Sequence, residues 1–541
     1  MNPTLYDPSA SLGASIAPSA RRPPALAVPV ARAVLGAAIL LGAAADALMH
    51  DGITGVGLAI WVALVCLNGI VLRWRAERAV SPETAAWLAG SLVFATATVW
   101  RNAEALQGFD VIATVFCLGM AALSTRDPRA ALFARRIRET FFTAVDVIRG
   151  VALGVLPLAF REAGLNEPGH TAAGRLRVIV RPLVIASAAL LVFGSLLRSA
   201  DPIFASIVTL PSVDFGEAMS HVVMAGFFAW IFAGWARASL SRDVQAHRAS
   251  AIPALELASA DVTAALGTLI VLFAAFIATQ IGWFFGGEEF LRARTGLTAA
   301  TYARKGFFQM VWIVTLVIPV LVGTRAALRP DRALARRHTL LSIPIVLLLG
   351  VMIMSAMLRL KMYVRFYGLT TDRFYPMVFM LWLAVVLAWF ALTVLRGWGR
   401  PFAGGAVLSG LGTLVALNIA DPDAIVARVN IGRAESMAPA VAGSLDVIHL
   451  ASLGGEGALL ATKTVLDQRA AIAMNASDRC MAARVLLSRW SPESRLGRRA
   501  NRSGAWRYWN RDDAATLQLV RERRDALSAL AKIGCPDPNA H

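Results

Sequence analysis

The chain alternates between apolar blocks of about twenty residues and shorter polar joints, a spacing set by the thickness of a bilayer. Eleven blocks run near 29–48, 53–72, 84–100, 109–124, 180–197, 217–236, 262–285, 307–327, 339–357, 374–395 and 402–419. A helix gains about 1.5 Å per residue, so each block is long enough to cross the hydrocarbon core or lies at the lower limit for doing so. Trp74, Trp100, Trp283 and Trp398 stand at block ends, where an amphipathic ring suits the headgroup level. The pattern predicts an all-α fold, a polytopic transmembrane helix bundle of about eleven spans.

Three stretches break the pattern. Residues 1–24 are rich in Ser, Pro and Ala and predict a disordered tail. Ala43-Ala44-Ala45 resembles a signal-peptide processing site, but ten further blocks favour an uncleaved first helix. Val145 to Phe160 is apolar, yet Asp146 and Arg149 interrupt it, and a central charge costs roughly 2.5–3.5 kcal/mol on insertion. That stretch predicts a helix lying on the membrane surface. Beyond 419 the blocks stop, and apolar residues recur at helical spacing in Leu445, Ile448, Leu459 and Leu466. Met481, Val485 and Leu486 form a second such face, and Leu517, Val520, Leu527 and Leu530 a third. The division that follows is a tail over 1–24, helices one to four over 25–124 and a basic segment with its interfacial helix over 125–179. Helices five to eleven follow over 180–419, and a small helical domain occupies 420–541.

Composition narrows the class. With 57% hydrophobic and 16% charged residues, the chain is neither a soluble enzyme nor a disordered protein. Its 53 basic residues against 35 acidic ones give +18, which in a soluble protein would suggest nucleic acid. Here the distribution explains the excess. With a cytoplasmic N-terminus, 26 Lys and Arg fall on the inner side, 10 in the outer loops and 17 after Asn418. Arginine marks the cytoplasmic face, so this orientation is preferred, and eleven crossings put the C-terminal domain outside. Cys66 and Cys117 lie in apolar blocks as packing residues, whereas Cys480 and Cys535 share the outer domain, where they can pair. Arg495 to Arg511 mixes basic residues with Trp506, Tyr508 and Trp509 and reads as a solvated linker or a contact for anionic headgroups. Nucleic acid is not expected as a partner there.

The familiar catalytic signatures are absent: no G-x-x-x-x-G-K-[ST], no H-E-x-x-H and no G-x-S-x-G. His50, His170, His221, His247, His338, His449 and His541 include no pair at helical ligand spacing, so neither metal nor cofactor is expected. Inside the blocks, Asp46, Asn68, Gln280 and Asn418 are isolated polar residues. No inverted repeat and no acidic relay at mid-depth accompanies them, which weighs against a proton-coupled transporter.

Four segments stand above this background. They are Phe193 to Pro202 (FGSLLRSADP), Gln280 to Phe308 with FFGGEEF and the start of TYARKGFFQMVW, Ser355 to Tyr375, and Asn418 to Arg433 (NIADPDAIVARVNIGR). These resemble a bacterial multi-pass membrane family known as a domain of unknown function, the 4173/4153-like group. Its patterns are similar to F-G-x-L-x-x-S-A-D, T-Y-A-x-Y-A-R-x-G-F-F-E-L, R-L-x-x-Y-x-x-x-Y-G-L-T-x-x-R and N-x-x-x-P-D-A-x-x-A-x-x-N-x-x-R. The likeness spans about Leu183 to Leu460, and Phe284, Thr301 and Gln309 depart from it. It implies the fold and an inner-membrane location and supplies no activity.

Under the N-in topology the first three segments share the outer face. Arg198, Asp201, Tyr302, Arg304, Arg359, Tyr363, Arg365, Tyr367 and Arg373 then converge where topology disfavours positive charge. Structural pairing among loops accounts for such a set; so does a basic, aromatic-lined site for an anionic group such as a lipid phosphate. The expected function is a non-catalytic envelope, regulatory or binding protein whose partners are membrane lipids, their anionic headgroups or lipid-linked phosphates. The alternatives are a membrane enzyme acting on a lipid-linked phosphate or glycan, with Asp201 as its candidate carboxylate, and a transporter.

Overall fold

The computed structural model describes residues 26–125, 137–163, 215–241, 258–295, 307–328, 331–398, 401–436, 445–467, 474–501, 504–533 and 535. Block 180–197 and the tail over 1–24 lie outside the described residues, as do Arg198, Asp201, Tyr302 and Arg304. Among the described residues every extended element is helical, and nine helices are long and apolar enough to cross a membrane.

The first group comprises α1 (Val28–Met49), α2 (Val56–Arg75), α3 (Pro82–Trp100), α4 (Glu104–Ser124), α5 (Ile137–Leu153) and α6 (Phe215–Leu240). In α1 the buried positions Ala31, Val34, Ala38, Leu41, Ala45 and Met49 repeat every three or four residues, while Leu40 on the opposite side is 72% exposed. That inversion, with large apolar residues facing outward, is what lipid as solvent permits. Small residues let α1 run close along α6: a Cβ on Gly42 would collide with the Ala225 carbonyl. This closeness brings the C-terminal third of α1 and the N-terminal part of α6 into side-chain contact. Helix α3, which begins at the Ser81 cap (Oγ accepting from Thr84 N–H at 3.1 Å) and Pro82, pairs with α4. The segment expected to lie on the membrane is the 17-residue α5, which continues past Gly154 into a π turn over Leu158–Glu162. It is tied to the bundle by Trp230 Nε1 donating to the Ala152 carbonyl (2.9 Å) and by Glu162 accepting from Arg237 Nε (3.0 Å).

The second group comprises α7 (Ser259–Thr295), α8 (Phe307–Ala326), α9 (Arg332–Tyr367) and α10 (Thr371–Thr393), packed around Leu266, Val314, Leu349, Met380 and Phe390. Helix α11 (Pro401–Ala420) touches both groups, with Phe402 in one core and Leu411 and Leu414 against the other.

One element differs from the sequence expectation. The R-L-x-x-Y segment is not a loop: α9 runs unbroken for 36 residues through Arg359, Tyr363 and Arg365. Leu, Met, Lys and Arg are good helix formers and nothing interrupts them before Gly368, whose φ of 76° closes the helix.

The C-terminal domain has its own apolar core, formed by α12 (Pro422–Ser436), α13 (Val447–Ser452), α14 (Gly455–Leu466), α15 (Ala476–Trp490), α16 (Arg495–Ala500), α17 (Arg511–Glu522) and α18 (Arg524–Leu530). Val447, Leu450, Val465, Leu486, Trp490 and Val520 are fully buried there. Cys480 and Cys535 are joined as a disulfide, their Cα atoms 5.4 Å apart, within the usual range for a bridge. Leu369 enters this core, and Val364, Phe374 and Met377 pack on it, so the α9–α10 turn is part of the domain's floor.

Candidate functional site

Arg101 is one of the anchors that seat the domain on one end of the bundle. Arg101, just past α3, donates through Nε to the Asn418 carbonyl (2.7 Å) and through Nη2 to the Ile419 carbonyl (3.2 Å). Its Nη1 donates to Asp421 Oδ2 at 2.8 Å and lies 3.5 Å from Asp512 Oδ2. The guanidinium therefore joins α3, the end of α11 and the start of α17. Asp421 has a φ of 59°, a left-handed conformation that Asp tolerates better than most residues, and its Oδ1 accepts from Ala424 N–H to cap α12. Asn510 completes the seat: its Nδ2 donates to the carbonyls of Thr98 and Arg101, both at 2.8 Å, while its Oδ1 caps α17.

The basic–aromatic run over 495–511 also belongs to this seat and is not a free linker. Tyr508 Oη donates to Asp51 Oδ2 (3.1 Å), Arg499 Nη2 donates to the Asp51 carbonyl (2.8 Å), and the Arg499 guanidinium lies 4.1 Å from the Tyr508 ring centre. Arg511 lies over Trp100 at 4.7 Å. Stacking on tyrosine and tryptophan gives these arginines a docking role that their charge alone does not reveal.

Between bundle and domain the seat leaves a polar chamber of about 790 Å³, within the usual range for ligand sites. Its bundle wall includes Asn102, Glu104 and Tyr375; its domain wall includes Asp423, Arg489, Arg499 and Asp513. Burial pushes the Asp423 carboxyl up to about 6, against the pull of the Gly454 N–H that it accepts at 2.9 Å. Burial likewise pushes Asp513 up to about 6, opposed by the Asn102 amide that donates to it. Asp512 is raised to about 6 by burial despite Arg101, and Asp421 is raised by burial as well. Two carboxyl groups poised near neutrality thus share a cavity with two guanidinium groups. Each guanidinium has five N–H donors, of which the described bonds use one on Arg489 (to the Ser452 carbonyl, 2.6 Å) and one on Arg499.

Of the residues expected to form the site, Arg359, Tyr363, Arg365, Tyr367 and Arg373 are among the described residues. Tyr363 and Tyr367 stack at 4.8 Å between ring centres, and Arg373 lies 4.4 Å over Tyr363 while donating to the carbonyls of Tyr367 and Gly368. Arg359 is buried at 2% exposure, and Arg365 and Tyr367 are exposed. These five sit around the end of α9, but none lines the chamber; Thr371 and Tyr375, shortly after them, do. Two of the family motifs meet each other instead. Asn430 Oδ1 accepts from Leu369 N–H (2.8 Å), its Nδ2 donates to the Leu369 carbonyl (2.6 Å), and Gly368 leaves no room for a Cβ beside Asn430. The Y-G-L-T and N-x-x-R patterns are thus two halves of one clamp. Asn418, from the same motif, donates to Asp110 at 2.8 Å.

What sequence reading missed is Arg101 with Asp512, and the Asp423, Arg489, Arg499 and Asp513 set. The signals for any of them were the N-x-x-x-P-D-A motif, which contains Asp421 and Asp423, and the basic–aromatic run over 495–511, which contains Arg499. A second unforeseen group joins Asp46 and His50 at the end of α1 to His221 on α6.

A family profile described as "Domain of unknown function (DUF4153)" matches residues 88–463. No curated protein and no solved structure matches the chain. The matched stretch starts well before the similarity first read from the motifs and includes Arg101, Tyr375, Asp421, Asp423 and the Asn430 clamp.

Proposed function

Because the chain belongs to the DUF4153 family and is a multi-pass membrane protein, we propose that it is a non-catalytic binding protein of the inner membrane, with its N-terminus in the cytoplasm and its ligand chamber on the outer face. The observation that carries this reading is the 790 Å³ chamber, where Arg489 and Arg499 retain N–H donors beside hydroxyl and amide partners. That lining suits a headgroup carrying both phosphate and hydroxyls, such as that of an envelope lipid or a lipid-linked glycan. Guanidinium forks match phosphate oxygens, and Tyr375, Asn102 and the carboxyls of Asp423 and Asp513 match hydroxyls. In this reading Arg365 and Tyr367, exposed near the end of α9, form the approach from the lipid surface.

A reaction at the same place is the second reading, favoured by two cavity carboxyls near neutrality. Binding accounts better for their surroundings, since Asp423 accepts from the Gly454 N–H and Asp513 from Asn102, commitments that hold them as walls. The test is the lipid retained by the purified full chain, read by native mass spectrometry. An Arg489→Gln/Arg499→Gln variant should retain at least about tenfold less, since each charged hydrogen bond contributes about 1.5–3 kcal/mol. Equal retention by the variant contradicts the proposal. A phosphatase fused after Ala540 should be active; a fluorescent protein bright at that position would overturn the orientation.

A further inference from the structure

We propose that Asp46, His50 and His221 form a binding site for one divalent transition-metal ion, zinc being the reference case, at the outer ends of α1 and α6. This inference is independent of the chamber reading. Asp46 and His50 are four residues apart on α1, so their side chains share a face, and the Gly42 contact brings α6 near enough to add His221, 175 positions away. One donor atom from each of the three lies within 4.8 Å of the others. Both imidazoles direct Nδ1 at the same carboxylate: His50 Nδ1 is 2.9 Å from Asp46 Oδ1, and His221 Nδ1 is 2.8 Å from both carboxylate oxygens.

Hydrogen accounting leaves a place for a cation in this arrangement. Ser220 Oγ donates its only hydrogen to the Glu217 carbonyl at 2.7 Å. At its 3.3 Å contact with His50 Nε2 the serine must therefore accept, which places the ring hydrogen on Nε2. A neutral His50 then presents a bare Nδ1 lone pair to a carboxylate oxygen, two acceptors with nothing between them. Either a second proton or a metal ion fills that gap. The two rings stack with their centres 3.8 Å apart and their planes within 15°, so both Nδ1 atoms face the one carboxylate side by side. A single metal ion serves all three donors with one positive centre. The Ser220 contact is then the outer-shell bond that fixes the tautomer of a ligating histidine.

Zinc–nitrogen and zinc–oxygen bonds of about 2.0–2.2 Å in a tetrahedron set donors roughly 3.3–3.5 Å apart. Binding therefore opens the present 2.8–2.9 Å contacts by about half an ångström and swings the rings out of their stack. His221 is 43% exposed and has the freedom to turn, and its side gives the ion an entry path and a fourth, solvent position. The site adjoins Asp51, which carries the Tyr508 and Arg499 contacts, so the ion would staple α1 to α6 beside the domain's seat.

The experiment uses the full chain in detergent, stripped with chelator and titrated with zinc by calorimetry, with cobalt absorption as the geometric readout. The expected result is one equivalent per chain and the intense visible bands of four-coordinate cobalt. Asp46→Asn and His221→Ala should each weaken binding at least about a hundredfold, and Ser220→Ala about tenfold. Absence of stoichiometric zinc binding by the wild type, or binding undiminished in Asp46→Asn and His221→Ala, overturns the proposal. Should one variant fail to accumulate, the other and the wild-type cobalt spectrum decide, a six-coordinate aqua-like spectrum counting against the site.

Discussion

Replacing Arg101 by Met removes the charge that three elements share while keeping most of the side chain's apolar length. The guanidinium and its two nearer carboxylates are almost shut off from solvent, with side-chain exposures of 12% for Arg101, 6% for Asp421 and 11% for Asp512, while Glu456, 3.9 Å away, is 37% exposed. Breaking a buried pair from one side costs about 3–5 kcal/mol, because the remaining carboxylates keep their desolvation penalty without the partner. Protonation limits that loss. From an ordinary carboxyl value of 3.8, holding one carboxyl neutral costs about 5 kcal/mol at pH 7.5 but only about 2 kcal/mol at pH 5. Arg101→Met should therefore destabilise the seat by about 3–5 kcal/mol at pH 7.5 and by clearly less at pH 5, where Asp512, raised to about 6, is already largely protonated in the wild type. Adding Asp421→Asn should return part of the loss at pH 7.5, since the orphaned charge is gone. Hydrogen exchange across 98–104 and 511–522 reads release of the domain directly, and thermal unfolding reads the stability. A loss below about 1 kcal/mol that is the same at both pH values would refute the reasoning.

Other consequences are equally open to measurement. Asp423, Asp512 and Asp513 have folded-state values near 6 against 3.8 unfolded, so between those values the folded state holds more protons. Stability should therefore fall as pH rises from about 4 to about 7 and then level off, with Asp513→Asn flattening the slope; a rise through that window contradicts the burial argument. Asn430→Ala strands both backbone groups of Leu369 and should cost about 2–4 kcal/mol, seen as proteolysis at the α9–α10 turn that leaves the bundle intact. Cys480→Ser opens a loop of 55 residues and should lower domain stability by about 4 kcal/mol, an effect that reductant reproduces in the wild type but not in the variant.

The membrane fold was legible because lipid imposes one period on every span, and blocks such as 29–48 and 402–419 differ from α1 and α11 by only a residue or so at each end. Charge misled where it was read as a loop signal: Arg359, Lys361 and Arg365 continue α9 because arginine and lysine are good helix formers. The chamber was not legible, since its parts are brought together only by tertiary packing. Arg101 and Asp421 lie 320 positions apart, and the residues between them carry no local sign of the pairing. Motif reading located Asp421, Asp423 and Asn430 without their partners. The search for paired histidines passed over Asp46 and His50 because one ligand of the pair is a carboxylate.

A density map of the full chain in lipid nanodiscs tests the central claim most directly. The account predicts an elongated headgroup feature in the chamber between Tyr375 and Tyr508, in contact with both Arg489 and Arg499. A chamber holding only discrete waters, with both arginines turned onto protein carboxylates, would contradict it.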